Sequence, residues 1–600
     1  MWSKVLVCCA FLVAFGSAQQ NAVQNHGFES ELRGHWESDG FSISRSSDAH
    51  GGSHSLRCAG RMHNSHQGPA QLVTLTPGKM YKFSAYVKQL TDMPGTLFQK
   101  YRAIMQYQDS GTGKHSQENL AYHTTVRSVD GWFRMAAFFR APTQAVSLSK
   151  LKIQAPDISI DFLLDDVTIV ELPDLADWKT EANQRINQLR MGDIHFRFNL
   201  GPGISASDID VQIDHVKHLF GWGTLVKDQW MIDSNYRHYQ DMVYEYFNTA
   251  TTQGLKWKFD KGTATHPDYS QAMACVDSLR QKGMLVRAHN LFWGFEKNLP
   301  PYVVHMAPHQ LNVTVQNHLN YMINITKGKA DHWDVMNELV HGQWFEEQFH
   351  NPDYSQDVYR QVKQLDPKPL LMLNDFNVVA RPEIADAYLQ QVQKFMSKML
   401  LVIKLIKRKR LMFQAYLQQS QKFLSQGVPL QALGLQGHFH ETVPDPQRMM
   451  LYLDHVAQAG LPLWVTELDV QQQDPDVRAD YYDTALRVLF SHPAMHGIVL
   501  WGFWDQHVVD KRSALVDGNN LNINAAGKQV FHLIKDEWST HVHRTLSSGT
   551  DFHLRGFKGD YEVTVKSHGV NVKVVHFSLT GNQTTVNINV DSTRVLSPHL

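Results

Sequence analysis

The chain is 600 residues long, more than one hydrophobic core normally spans, so two or more domains are expected. Its 57 basic and 58 acidic residues nearly cancel, which excludes the electrostatic footprint of a nucleic-acid or anionic-membrane binder. Thirty-three histidines are many, but no HExxH or CxxC accompanies them. The short pairs His438/His440 and His541/His543 therefore read as hydrogen-bonding groups rather than a metal centre.

The first stretch reads as an export signal over residues 1–18. Lys4 precedes an apolar run at 5–15, too short to span a bilayer, and Gly16-Ser17-Ala18 is small enough for cleavage. A secreted, extracellular chain beginning near Gln19 follows. Removing Cys8 and Cys9 leaves Cys58 and Cys275 in different domains, so no disulfide framework holds the fold. Sequons at Asn312, Asn324 and Asn582 fit that route as glycosylation sites.

Residues 20–172 show short alternating runs, such as Tyr81-Lys82-Phe83-Ser84-Ala85-Tyr86-Val87 and Phe162-Leu163-Leu164-Asp165-Asp166-Val167. Period two without a sustained helical period predicts an antiparallel β-sandwich. Trp36, Tyr101, Tyr107 and Tyr122 are its aromatics that could stack on sugar rings or, as most aromatics do, fill the core.

A short linker around Leu172-Pro173-Asp174 leads to a helix at Trp178–Arg190 and a domain over 178–545. Here eight apolar runs each end in polar or Gly-rich residues: Phe220 to Gly223, Val243 to Thr249, Met284 to Arg287, His332 to Glu338, Leu370 to Asp375, Leu433 to His438, Leu463 to Glu467 and Ile498 to Gly502. Helical periodicity between them predicts an α/β fold, a closed (β/α)8 TIM barrel whose reactive groups gather where the strands end. One stretch breaks the pattern. Ala387 to Ser397 recurs at Ala415 to Ser425 with nine of eleven positions identical, around a basic apolar segment. The stretch 387–425 reads as an insertion outside the barrel logic, with a basic amphipathic membrane helix as the alternative. Residues 546–600 return to alternation and predict a small C-terminal β appendage.

Two barrel runs end abruptly in acids: Trp333-Asp334-Val335-Met336-Asn337-Glu338 and Leu463-Trp464-Val465-Thr466-Glu467-Leu468-Asp469. A buried strand tolerates Glu at its end only where a polar site waits, since an unpaired buried charge costs several kcal/mol. A carboxylate pair with no metal points above all to glycosidic-bond cleavage. No cofactor is needed for that chemistry.

Six motifs in order resemble the family 10 glycoside hydrolases, the retaining endo-β-1,4-xylanases: Arg287-Ala288-His289-Asn290-Leu291-Phe292-Trp293, Trp333 to Glu338, Leu373-Asn374-Asp375-Phe376-Asn377, Gly434-Leu435-Gln436-Gly437-His438-Phe439, Thr466-Glu467-Leu468-Asp469 and Trp501-Gly502. The resemblance implies Glu338 as acid/base and Glu467 as nucleophile. Asn337 would bond the 2-hydroxyl, and His438 backed by Asp469 would orient Glu467. Lys256, His289, Trp293, Gln436 and Trp501 would line the cleft, and xylan would be the polysaccharide partner. Glu338 should have its pKa raised by the negative Glu467. Two departures touch substrate binding: Thr252-Gln253-Gly254 stands where an acid is usual, and Val509 where a second cleft Trp is usual. An endo-β-1,4-glucanase, a mixed xylanase/cellulase or a catalytically inactive carbohydrate-binding protein are the alternatives.

The N-terminal part resembles jelly-roll carbohydrate-binding modules through Asn25-x-Gly27-Phe28-Glu29, Gly51-Gly52-Ser53-His54-Ser55-Leu56, Leu75-x-Pro77-Gly78 and Asp165-Asp166-Val167. That resemblance implies a structural calcium, with Glu29 and Asp166 as acids; as residues they serve equally well as turn caps.

Overall fold

The computed structural model describes residues 20–38, 40–62, 67–155, 157–408, 427–440, 442–547 and 550–591, the side chains of 397–408 excepted. The export signal at 1–18 and the second repeat copy at 415–425 lie outside the described residues. The chain divides into two units, one ending at Asp174 and the other beginning at Leu175, with Gly95–Leu97 grouped with the second.

The first unit is a β-sandwich. One sheet orders its strands Ser42–Ser46, Ser55–Ala59, Phe162–Leu172, Met80–Gln89 and Trp132–Arg140, and the other Ala70–Leu72, Val146–Gln154, Gln99–Asp109 and His115–Val126. Along Met80–Gln89 the residues Tyr81, Phe83, Ala85 and Val87 are buried while Lys82 is exposed and Ser84 and Tyr86 partly so. Their side chains alternate across the pleat, so the period-two pattern is the two faces of this sheet. Trp36, Tyr101 and Tyr107 are buried in the core, and only Tyr122 of the four aromatics keeps partial exposure.

The second unit holds a closed barrel of eight parallel strands: Gly221–Val226, Thr249–Thr252, Leu285–Trp293, His332–Asn337, Leu370–Asp375, Ala432–Leu435, Leu463–Gln471 and Met495–Leu500. The first pairs with the eighth and the sixth with the seventh, so no edge remains. All eight predicted runs overlap these strands, seven of them by more than one residue. The second does so only at Thr249, because Arg237–Tyr246 is a helix and the strand begins at Thr249. Tyr239 and Val243 are its buried positions, four apart, a helical stripe rather than an alternation.

Two further corrections follow. The expected appendage at 546–600 is half of a second β-sandwich whose other strands precede the barrel. Met191–Leu200 lies between Asp551–Phe557 and Gln583–Val590, while Ile209–His218 lies between His541–Thr545 and Gly559–Ser567, with Val570–Leu579 at the edge. Ile194, Phe196, Ile213, Val563 and Ile588 share its core. The barrel proper thus begins at Gly221 rather than near 178. The first repeat copy is also no insertion: helix Ala385–Arg408 follows the fifth strand, and Tyr388 donates its hydroxyl to the Leu373 carbonyl at 2.9 Å. Ala387, Tyr388, Leu389, Val392 and Phe395 are buried, so this is a barrel helix. No helix among the described residues is long and apolar enough to cross a membrane.

Candidate active site

Strand four ends at Asn337, and the chain turns sharply at Glu338, whose φ of +60° lies in the left-handed region. A non-glycine residue takes that conformation at a cost of order 1 kcal/mol, offset here because the Glu338 N–H donates to the Asn374 carbonyl at 2.8 Å. The turn aims the side chain across the barrel mouth. Trp293 Nε1 donates to its Oε2 at 2.6 Å and Gln436 Nε2 to its Oε1 at 2.9 Å. Strand seven presents Glu467, 4 % exposed. Asn374 Nδ2 donates to Glu467 Oε1 at 2.8 Å, and His438 Nε2 lies 3.3 Å from Oε2.

The expected histidine brace is in place, with His438 Nδ1 2.9 Å from Asp469 Oδ1. Lys256, buried, points its ammonium at the Trp293 and Trp501 rings, 4.8 and 5.6 Å from their centroids. His289 Nδ1 meets Asp334 at 2.6 Å while its Nε2 lies 3.9 Å from Glu467. All ten barrel residues singled out in the sequence therefore converge on one mouth. His440 joins His438 and Asp469 in a group of three donors within 4.8 Å of one another.

The two glutamates are held in opposite states. Burial pushes the Glu338 carboxyl up to about 7, with the negative Asp375 and then Glu467 adding to it and the Gln436 and Trp293 donors opposing. Burial, not the Glu467 charge expected from the sequence, is thus the leading cause. Burial also acts to raise Glu467, but His289, His438 and Arg287 outweigh it and hold the carboxyl down at about 2. His289 is itself lowered by burial and by Lys256. At neutral pH the cationic histidine facing Glu467 is therefore His438, which Asp469 and Glu467 raise to about 10 against burial.

Three residues that the motifs contained but no role singled out lie at the centre of the site. Asn374, fully buried, links Asn337 Oδ1 at 2.8 Å to Glu467 and accepts from the Thr466 hydroxyl at 2.6 Å. Asp334 pairs with Arg287 and orients His289, both acid and base wholly buried. Asp375 accepts from the Val340 amide and meets His341 Nδ1 at 2.7 Å, bracing the turn after Glu338. The available signal was positional: each is a polar residue inside an apolar strand, where an unpaired group costs free energy.

In the first unit, Glu29 accepts from the Ser53 and His54 amides at 2.6 and 2.9 Å and meets His54 Nδ1 at 3.1 Å. Asp166 meets His50 Nδ1 at 2.7 Å. Calcium takes six to eight oxygens. These carboxylates are engaged by nitrogen donors, and among the described residues no three-donor cluster gathers there. As arranged the pair braces the Gly51-Gly52 turn, Asp166 against Gly51 and Glu29 against Gly52. The sequons at Asn312, Asn324 and Asn582 are all exposed.

Residues 20–158 match a carbohydrate binding domain model, and 213–403 with 405–532 match that of glycosyl hydrolase family 10. Among curated proteins the chain is similar to anti-sigma-I factor RsgI6 of Acetivibrio thermocellus, 29 % identical over 393 residues, 65 % of this chain and 47 % of that one. It is similar to endo-1,4-beta-xylanase 1 of Arabidopsis thaliana, 26 % identical over 440 residues, 73 % of this chain and 42 % of that one. The chain spans about half the length of these curated relatives. The crystal structure of the CBM22-1–GH10 modules of a Clostridium thermocellum endo-1,4-beta-D-xylanase with xylohexaose matches with a TM-score of 0.42 at 16 % identity, covering 85 % of this chain and 97 % of that one. With more than half of its residues matching that family's model, the chain belongs to glycosyl hydrolase family 10.

Proposed function

We propose that the chain is an endo-acting, retaining glycoside hydrolase that cleaves internal β-1,4-xylosidic bonds of xylan. The observation that carries this reading is the pair of buried strand-end glutamates at one barrel mouth, Glu338 held by Trp293 and Gln436 and Glu467 by Asn374 and His438, the first carboxyl shifted up by burial and the second held down by its cationic neighbours. Glu467 attacks the anomeric carbon as Glu338 gives its proton to the departing glycosidic oxygen, leaving a glycosyl ester on Glu467. Glu338, now a carboxylate, takes a proton from water as that water attacks the same carbon and releases Glu467, so two inversions give net retention.

The surroundings support these roles. Esterified Glu467 is neutral, which removes one of the two negative neighbours that raise Glu338 and eases its change from acid to base. Asn374 and His438 hold both Glu467 oxygens and fix its direction. Asn337 Nδ2 is buried with no hydrogen-bond partner among the described residues. An unmet buried donor costs about 1–3 kcal/mol, a cost that a substrate hydroxyl accepting from it would relieve.

A second reading, a mixed xylanase/cellulase, is favoured by Gln253, whose amide lies 3.4 Å from Lys256 where an acid was expected, and by Val509, which is 82 % exposed. A reducing-sugar assay on xylan and carboxymethylcellulose, with Glu467→Ala as control, separates the readings. Xylan hydrolysis that falls by about three or more orders of magnitude in the variant is expected. An alanine variant as active as the wild type would overturn the assignment.

A further inference from the structure

The turn that carries Glu338 contains one side chain that the proposed reaction does not use. His341, three residues on, has a side chain only 10 % exposed. Its Nδ1 lies 2.7 Å from Asp375 Oδ1, and its ring stacks on Phe376 with 3.6 Å between centroids and 10° between planes. Asp375, the fully buried last residue of strand five, also accepts from the Val340 amide at 2.8 Å and from the Phe376 amide at 2.9 Å. The imidazole thus clamps the turn after strand four to the end of strand five.

That clamp closes around the backbone of Glu338. The Glu338 carbonyl accepts from the His341 and Gly342 amides at 3.1 and 2.9 Å, while its own amide donates to the carbonyl of Asn374, the residue before Asp375. Gln436 ties the same two places together, its backbone amide donating to the Asp375 carbonyl at 3.0 Å and its side chain to Glu338 Oε1 at 2.9 Å. Gly342 packs backbone to backbone on Gly294, next to Trp293, the other donor to Glu338; a Cβ on Gly342 would fall 2.6 Å from the Gly294 carbonyl oxygen. A residue with a φ of +60° keeps it only where its surroundings over-determine it, and the imidazole bond and stack supply that constraint. Among the described residues no hydrogen bond or ion pair joins His341 or Asp375 to Glu467, which Asn374, His438 and His289 surround.

We propose that His341 is a positioning residue for the proton donor: through Asp375 and the stack on Phe376 it fixes the turn that aims Glu338, and it does not act on Glu467. This deepens the proposed function and rests on it. In the first step Glu467 forms a bond to the anomeric carbon as the bond to the glycosidic oxygen breaks, and the Glu338 proton goes to that oxygen. A sugar leaving group needs that proton, whereas a strongly acidic phenol leaves as its anion without one. Loosening the turn therefore slows only the reactions that draw on the donor. General acid catalysis contributes about a hundredfold or more, and misplacing the donor without removing it forfeits part of that, about tenfold to thirtyfold.

The test compares kcat/KM, which reports the first step, on xylotetraose and on 2,4-dinitrophenyl β-xylobioside in the full chain. His341→Phe keeps a ring on Phe376 but gives Asp375 no donor, and His341→Gln keeps a donor without the ring. The Phe variant should lose about tenfold to thirtyfold on xylotetraose and less than about twofold on the dinitrophenyl substrate. The Gln variant should recover most of the xylotetraose loss. Asp375→Asn acts at the other end of the same bond and should show the same split between substrates, so the test does not hang on one variant folding. Equal losses on both substrates, or no loss on xylotetraose, overturn the assignment while an active wild type leaves the hydrolase reading standing. A wild type that cleaves neither substrate overturns both.

Discussion

Asn374 offers the sharpest perturbation of the site because its amide serves two oxygens at once. Nδ2 lies 2.8 Å from both Asn337 Oδ1 and Glu467 Oε1, and the residue is fully buried. Asn374→Asp keeps the shape and exchanges that donor for an acceptor. Two carboxylate oxygens would then face each other at the former hydrogen-bond distance. Two unit charges so close repel by about 6 kcal/mol at an effective dielectric of about 20, equivalent to about four pKa units. One of the two acids must therefore hold a proton well above the pH at which Glu467 now releases its own, about 2. The acid limb of the kcat/KM profile on an aryl β-xylobioside should move up by more than two units. Asn374→Ala removes the donor without adding a charge, so it should lose about tenfold to hundredfold in kcat/KM with a much smaller shift of the limb. Circular dichroism confirms that both variants are folded. An Asn374→Asp profile with the wild-type acid limb would refute the claim that this side chain lies directly against the Glu467 carboxylate.

The wild-type profile should fall on the basic side near pH 7: Glu338, raised to about 7, is a usable acid only below that pH and is lost as pH rises through it. Gln436→Leu removes a donor that favours the ionised form, so the basic limb should shift upward while kcat/KM drops about tenfold. His438→Ala removes the cation hydrogen-bonded to Glu467, and the acid limb should rise toward the ordinary carboxylate range with a loss of about a hundredfold or more; an unmoved limb contradicts the brace. A chain ending at 545 removes four strands of the second β-sandwich and uncovers Ile194, Phe196 and Ile213. It should aggregate or melt far below the full chain, whereas a detachable appendage would leave the melting temperature unchanged.

The two strand-end glutamates were legible because the sequence places charge where an apolar strand stops, and burial makes such a charge costly unless it is paired. The barrel was legible from the apolar runs, because strands such as His332–Asn337, Leu370–Asp375 and Leu463–Gln471 are buried on both faces. The strands on either side of the barrel were harder to read. Ile194, Phe196 and Phe198 alternate, as do Ile209, Val211 and Ile213, but their partners lie more than 300 residues away, and local periodicity carries no information about pairing. Val243 misled because a short apolar run looks alike in helix and strand. Asn374 and Asp334 carry nothing locally that distinguishes a bridging role from a satisfied core polar group; only the closure of the barrel brings Asn374 to Glu467, 93 positions on.

The division of labour between Glu467 and Glu338 is tested most directly by trapping the covalent intermediate. A 2-deoxy-2-fluoro-β-xylobioside with a good leaving group forms the ester at a useful rate but releases it slowly, because fluorine at C2 destabilises the oxocarbenium-like transition states. Peptide mass spectrometry of the inactivated protein should place one fluoroglycosyl group on Glu467, with none in the Glu467→Ala variant. A label on Glu338 or any other residue would contradict the account, as would hydrolysis of the parent β-xylobioside to an initial α-anomer.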